Sequence, residues 1–397
     1  MHQVLENTAL SHNEAKAERW PAYRFNLQEF SGALGDMGTF LPLAVAMSIF
    51  CGMDLAVVFV FAGLMNVFTG LYFKQPIPVQ PMKAIAAVAI AEGLSAGEIA
   101  SAGMLMGAFL LVLTLSGSVD LIAKKIPKPI VRGIQLGVGL KLAMKGFAWM
   151  WPLSIWQLDG WVTAGIAAAL IILVRSKRFP MLMVVFAGGV VIAFLNHGNL
   201  FASYAWQWPK FDMMLPTGEQ WWSGLTRGAL PQLPLTLLNS VVAVCALSGD
   251  YFPGRGIKPG RMGMSVSLMN LVAVPFGGMP MCHGSGGLAA QYRFGARTGG
   301  SVIMLGVLKV VVAVALGTSL AVIIQSYPVS ILAMSLVFAG LMLARAAKDC
   351  LVGRKLLLVL ITAITIIMYG TMWGFLIGLG IYVLDRWLLG WDGVKDE

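Results

Sequence analysis

From residue 29 to residue 389 the chain is a succession of long apolar runs joined by short polar links. Few folds accept that pattern. Backbone amides in lipid must be paired within their own segment, so apolar runs of this length become helices that cross a bilayer. A membrane β-barrel would show short segments of alternating polarity instead. Soluble domains carry about 25% charged residues, against 12% charged and 58% hydrophobic here. The expected fold is an all-α polytopic membrane protein.

The runs fall at roughly 29–49, 54–72, 81–91, 99–122, 130–150, 160–174, 180–196, 229–247, 264–276, 280–291, 301–324, 328–345, 355–370 and 372–389, fourteen in all. Two of them, 81–91 and 280–291, are too short to cross. Each begins at a proline, a residue suited to the first turn of a helix and costly in its interior. They read as half-helices that meet near the midplane.

Residues 1–26 are polar and lack the apolar core of a signal peptide, so they read as a cytoplasmic tail. Alternating the crossings from there places Lys124, Lys125, Lys128, Arg132, Arg175, Lys177, Arg178, Arg255, Lys258, Arg261, Arg293, Arg297, Arg345, Lys348, Arg354 and Lys355 inside. Arg386 and Lys395 follow them, and the positive-inside rule is met. Lys210 and Arg227 fall in an outer loop, 197–228, with Trp206, Trp208, Trp221 and Trp222 as an interfacial belt. Glu92 and Glu98 are expected at the outer surface. The reading is a multi-pass protein of the cell membrane with both termini cytoplasmic. A net charge of +10 then needs no nucleic-acid partner. Cys51, Cys245, Cys282 and Cys350 show no metal-ligand spacing and read mainly as small buried hydrophobes. No metal or cofactor is expected.

An internal repeat organises these segments. An offset of 199 places Pro81 on Pro280, Met82 on Met281 and Pro129 on Pro328. FLPLAVAMS at 40–48 resembles QLPLTLLNS at 232–240, and LMN recurs at 64–66 and 268–270. The chain divides into a first repeat, 27–196, the connecting loop 197–228, a second repeat, 229–390, and a tail, 391–397. Seven segments per half is odd, so the halves enter the membrane from opposite sides. That 7+7 inverted repeat, with broken helices in matching places, is a plan of secondary transporters.

Three segments carry a family resemblance. PVQPMKAIAAVA (78–89), LPQLPLTLLNSVVAVCALSGDYFP (230–253) and GGMPMCHGSGGLAAQYRFGAR (277–297) resemble the signature segments of the molybdate transporter family, a branch of the sulfate-permease (SulP) group. The resemblance runs from about 25 to 390. It implies the inverted-repeat fold shared with nucleobase and bicarbonate permeases. It also implies a core bundle, the first four segments of each half, moving against a scaffold of the last three. Many relatives carry a cytoplasmic STAS domain after the last helix; with eight residues after Leu389, none is expected here. The group implies a homodimer, for which the sequence shows no interface.

The residues support an oxyanion on their own terms. Each half-helix N-terminus offers unpaired N–H groups and about half a positive charge. Lys83 adds one more, enough to come near neutralising a tetrahedral dianion such as molybdate or tungstate. The N–H groups of Lys83, Ala84, His283, Gly284 and Ser285 are candidate donors. Gly284, Gly286 and Gly287 let an anion approach the backbone. Met82 opens the first half-helix. Gln80 either caps that helix or donates to substrate. Lys83 either makes the site electropositive or pairs with a carboxylate such as Asp36. His283 either contacts substrate or donates to a backbone carbonyl. Cys282 matches Lys83 in the repeat and packs or contacts substrate. Thr39 and Asn239 are candidate side-chain donors. Asp36 and Glu29 are candidates for ion coupling or for helix capping.

Other classes fit less well. HGSGG at 283–287 lacks the first glycine of a hydrolase elbow and its strand–turn–helix setting, so an enzyme is not expected. A nucleobase permease would use a carboxylate in the second repeat, and 230–247 and 277–291 contain none. Sulfate and bicarbonate carriers remain open, and charge and size separate molybdate from sulfate poorly.

Overall fold

The computed structural model describes residues 21–174, 181–196 and 206–389. Four sequence-based expectations therefore lie outside the described residues. They are the N-terminal tail as far as residue 20, the basic link at 175–178, the start of the connecting loop at 197–205, and the tail 391–397.

The chain is helical almost throughout. Helices α1 (Leu27–Leu34) and α2 (Met37–Cys51) stand where one segment was expected, bent by 48° at Gly35 and Asp36. The bend brings Gly35 against the Phe294 ring, 2.9 Å from where a Cβ would sit. Then come α3 (Leu55–Phe73), strand β1 (Gln80–Pro81), α4 (Lys83–Glu92), α5 (Ala96–Leu115) and α6 (Val119–Lys125). They are followed by α7 (Lys128–Met150), α8 (Trp161–Leu173) and α9 (Met181–Asn196). The long helix α10 spans Gly218–Tyr251. After it come α11 (Pro259–Ala273), β2 (Met281–Cys282), α12 (Ser285–Arg293), α13 (Gly299–Leu316) and α14 (Ser319–Gln325). The last helices are α15 (Val329–Arg345), α16 (Gly353–Tyr369) and α17 (Thr371–Leu389).

Local chemistry explains several boundaries. Asn26, Asp54 and Thr298 cap α1, α3 and α13 through side-chain oxygens. Ser95 with Glu98, and Thr217 with Gln220, form capping boxes at α5 and α10. Thus α10 begins at Gly218, inside the stretch read from sequence as an outer loop, and Arg227 lies on a helix. The apolar runs 99–122 and 301–324 are each broken, at Gly117 (φ 68°) and Gly317 (φ 50°). A one-residue turn of this kind leaves no gap in hydropathy.

Among the described residues, five helices are long and apolar enough to cross a membrane, six if the bent pair α1–α2 counts as one. Shorter apolar helices are Trp161–Leu173, Met181–Asn196 and Lys355–Tyr369. Large apolar side chains such as Leu173, Leu195 and Trp387 are exposed on the outside, and Trp206, Trp208, Trp221 and Trp222 are exposed as well. Cys51, Cys282 and Cys350 are buried, Cys245 is half-buried, and all four are free.

The helices fall into two packed groups. Helix α3 packs on α13 and α5 on α11, joined by α1, α2, α4, α10 and α12. Helices α7, α8, α9, α15, α16 and α17 form the second group, with α7 against α15 and α16. Close approach relies on small residues, as is usual between helices in lipid. The Gly306 carbonyl lies 2.6 Å from where a Cβ on Gly63 would sit, and the Gly139 carbonyl 2.4 Å from one on Gly340.

Candidate functional site

Strands β1 and β2 pair antiparallel, Gln80 opposite Cys282 and Pro81 opposite Met281. The Met82 N–H extends the ladder by donating to the Pro280 carbonyl at 2.9 Å. This pairing brings the N-termini of α4 and α12 together in the interior. It also moves the start of the second half-helix to Ser285 rather than Pro280, because Met281 and Cys282 are extended to make the ladder.

A cavity of about 230 Å³ opens at these two helix ends, between the two helix groups. Thr39, Lys83, Gln232, Asn239, Cys282 and Ser285 line one side. Arg132, Gln135, Leu142, Leu182 and Met342 line the other. The volume lies below the range of about 300–1,000 Å³ usual for organic ligands, so it suits a small ion. Among the described residues its wall holds two cations, Lys83 and Arg132, and no carboxylate.

The two helix ends differ. In α4 the Ala84 and Ile85 N–H groups donate to Gln232 Oε1 at 2.9 and 3.2 Å. The Ala84 donor expected for a substrate is thus taken by a side chain that sequence reading passed over. Gln232 is fixed in turn by its Nε2 donating to Thr236 Oγ1 at 2.9 Å. In α12 the Ser285 and Gly286 N–H groups have no acceptor among the described residues, and Gly284, Ser285 and Gly286 line the cavity. Lys83 Nζ lies 3.9 Å from where a Cβ on Gly286 would sit, and no carboxylate among the described residues pairs with it. Ser285 Oγ donates to Asn239 Oδ1 at 2.5 Å. Asn239 and Ser240 sit on a wide π-helical stretch, Thr236–Val242, of the kind often found at functional sites.

The remaining candidates lie behind this surface. Met82 is fully buried. His283 is fully buried, with Nδ1 facing the Pro78 carbonyl at 2.8 Å and Nε2 facing Ser265 Oγ at 2.9 Å. A carbonyl only accepts, so Nδ1 carries the proton and Nε2 takes the serine hydroxyl. Both ring nitrogens are thus engaged away from the cavity. Gln80 donates through Nε2 to Asp36 Oδ1, while Asp36 Oδ2 and Gln80 Oε1 have no partner among the described residues. Gly287 packs on this pair, since a Cβ there would sit 2.8 Å from Asp36 Oδ1. Glu29 does not line the cavity. Its Oε2 accepts the Arg297 and Thr298 N–H groups at 2.9 and 3.2 Å, tying α1 to the start of α13.

Two charged clusters were not foreseen. Lys309, 1% exposed in α13, donates to Asn66 Oδ1 at 2.9 Å and lies 3.6 Å over the Phe40 ring. A lone lysine in GVLKVVVAVAL (306–316) carries the same signal as Lys83. Glu92, expected at the surface, is mostly buried and accepts from Lys141 Nζ at 2.7 Å, Arg227 Nε at 3.2 Å and Thr371 Oγ1 at 3.2 Å. These partners come from both helix groups.

Residues 28–142 and 224–343 match the family model described as "Molybdate transporter of MFS superfamily". Molybdate transporter 2 of Arabidopsis thaliana is 38% identical over 367 residues, covering 81% of this chain and 79% of the relative. The chain belongs to the molybdate transporter family. Another member, molybdate transporter 1 of Chlamydomonas reinhardtii, is 30% identical over 494 residues, 95% of this chain and 94% of the relative. Among solved structures, the fold resembles the transmembrane domain of the cyanobacterial bicarbonate transporter BicA. The TM-score is 0.68 at 15% identity, over 87% of this chain and 96% of that one. SLC26A9 gives 0.68 at 12% identity, over 97% of this chain and 69% of that one. The chain shares the fold of these proteins, that of a multi-pass membrane protein.

Proposed function

We propose that this protein is a secondary-active transporter of a tetrahedral oxyanion, molybdate first and tungstate with it. The observation that carries the reading is the central cavity, walled by two cations, two free backbone N–H groups and no carboxylate. A dianion there meets Lys83, the Ser285 and Gly286 N–H groups and the N-terminal dipole of α12. Thr39 and Asn239 offer polar side-chain atoms, Cys282 a soft contact. Family membership favours molybdate over sulfate or bicarbonate.

The architecture read here is the seven-plus-seven inverted repeat with fourteen segments, the shorter helices and the two half-helices included. Three correspondences support it. Helix α3 packs on α13 as α5 packs on α11, pairs that exchange under the repeat. The glycine breaks at 117 and 317 fall at matching places. The helices after them, α7 and α15, begin at Lys128 and Val329 and pack on each other. The group holding α4 and α12 is then the moving core, and the group of α7 and α15 the scaffold. Both termini are assigned to the cytoplasm of a cell membrane, and the protein to a homodimer. Asp36, beside Gln80 and with one buried oxygen unpartnered among the described residues, is the coupling group. Glu29, tied to backbone, is structural.

Uptake of labelled molybdate into proteoliposomes tests this reading, with tungstate, sulfate, bicarbonate and uracil as competitors. Saturable uptake blocked by tungstate is expected, with Asp36→Asn abolishing its dependence on an imposed ion gradient. Competition by uracil, or sulfate outcompeting molybdate, would overturn the substrate.

A further inference from the structure

Below the central cavity lies a wider one of about 920 Å³, and the two share Arg132, Gln135, Asn239, Ser285 and Ala346 as walls. The wider space is basic. Lys124, Lys128, Arg132 and Lys355 line it, against a single carboxylate among its described lining residues, Asp349. By the orientation proposed above it faces the cytoplasm. A funnel lined by one sign of charge draws the opposite sign toward its neck.

Arg132 sits at that neck. One terminal nitrogen donates to Gln135 Oε1 at 2.9 Å, one helical turn on, and the other to Asp349 Oδ2 at 2.7 Å. Its Nε is buried and has no acceptor among the described residues. Lys128 Nζ is also 3.8 Å from Asp349 Oδ2. The guanidinium is thus a planar fork of five N–H donors, two of them engaged, with its charge answered by an internal carboxylate. Arg132 is on α7 of the scaffold, whereas Lys83 and Ser285 are on α4 and α12 of the core. Motion of one group against the other changes the distance between the two cationic contacts.

We propose that the basic vestibule is a second oxyanion site, in which Arg132 takes the anion over from Lys83 and Asp349 is the internal anion it displaces. The inference rests on the oxyanion reading of the central cavity. It predicts sidedness, because Asp349 walls the vestibule alone while Arg132 walls both spaces.

The test uses full-length protein inserted in one known orientation, with molybdate varied separately on each face. Arg132→Gln is expected to raise the half-saturating molybdate concentration on the vestibule face about tenfold, the loss of one charge-assisted contact, and to raise it less on the other face, where Lys83 and the α12 N–H groups still hold the anion. Asp349→Asn is expected to lower it on the vestibule face, since the competing anion is gone. A structural role for the pair would harm both faces and move both variants the same way. Equal change on both faces with Arg132→Gln, or weaker binding with Asp349→Asn, would overturn the proposal. If Arg132→Gln fails to insert, Asp349→Asn and Arg132→Lys decide it by the same sidedness. Wild-type protein that neither binds nor moves molybdate would refute the parent reading instead.

Discussion

Lys83 presents an ammonium to a cavity that holds no acid, and that sets the sign of what can bind there. The cost of keeping a charge in the membrane interior is offset only when a counter-charge arrives. Lys83→Ala is expected to weaken molybdate binding about ten- to a hundredfold, the loss of one charge-assisted hydrogen bond. Titration of purified protein measures this, and unchanged affinity would mean the backbone donors of α12 suffice. Behind the cavity, Gly287 permits the Gln80–Asp36 contact, so Gly287→Ala should cost about 1–3 kcal/mol by overpacking. A thermal-unfolding midpoint that does not fall would contradict that packing. At this scale the sequence was legible in part. Thr39, Lys83, Asn239, Cys282, Gly284 and Ser285 line the cavity, and each lies close to a proline-marked half-helix or on its partner segment. Gln232 and Arg132 were illegible, because their roles depend on which helices meet. Lys309 was legible and passed over, since the rule that singled out Lys83 applies to it equally.

The half-helices α4 and α12 act as elements whose ends matter more than their faces. Paired prolines announced both, but hydropathy could not show that β1 and β2 hold them, so the second was expected to start too early. Nor could it show the breaks at Gly35–Asp36, Gly117 and Gly317, where one or two residues turn the chain without interrupting an apolar run. The far end of α4 is held by Glu92, which joins Lys141 and Thr371 of the scaffold to Arg227 of α10. Glu92→Gln leaves Lys141 without its counter-charge and Arg227 with Glu98 alone, and is expected to destabilise the protein by about 1–3 kcal/mol. It should also favour separation of the two groups at that end. Thermal unfolding checks the first effect and labelling of a cysteine placed beside Thr371 checks the second; unchanged labelling would mean the cluster does not restrain the motion.

As a whole molecule, the protein places a small electropositive cavity between two helix groups, where relative motion can change which side it faces. The basic vestibule is continuous with that cavity through Arg132, so the described conformation is read as open toward the cytoplasm. The membrane fold was legible because lipid leaves the backbone so few choices. The substrate was not legible from charge and size, since tetrahedral dianions share both, and it rests on family membership. The most direct measurement is a structure of the protein with tungstate, whose strong scattering marks its position. The account predicts one tungstate within hydrogen-bond distance of Lys83 Nζ and the Ser285 and Gly286 N–H groups, lost in Lys83→Ala. Tungstate bound elsewhere while the central cavity stays free of it would contradict the account.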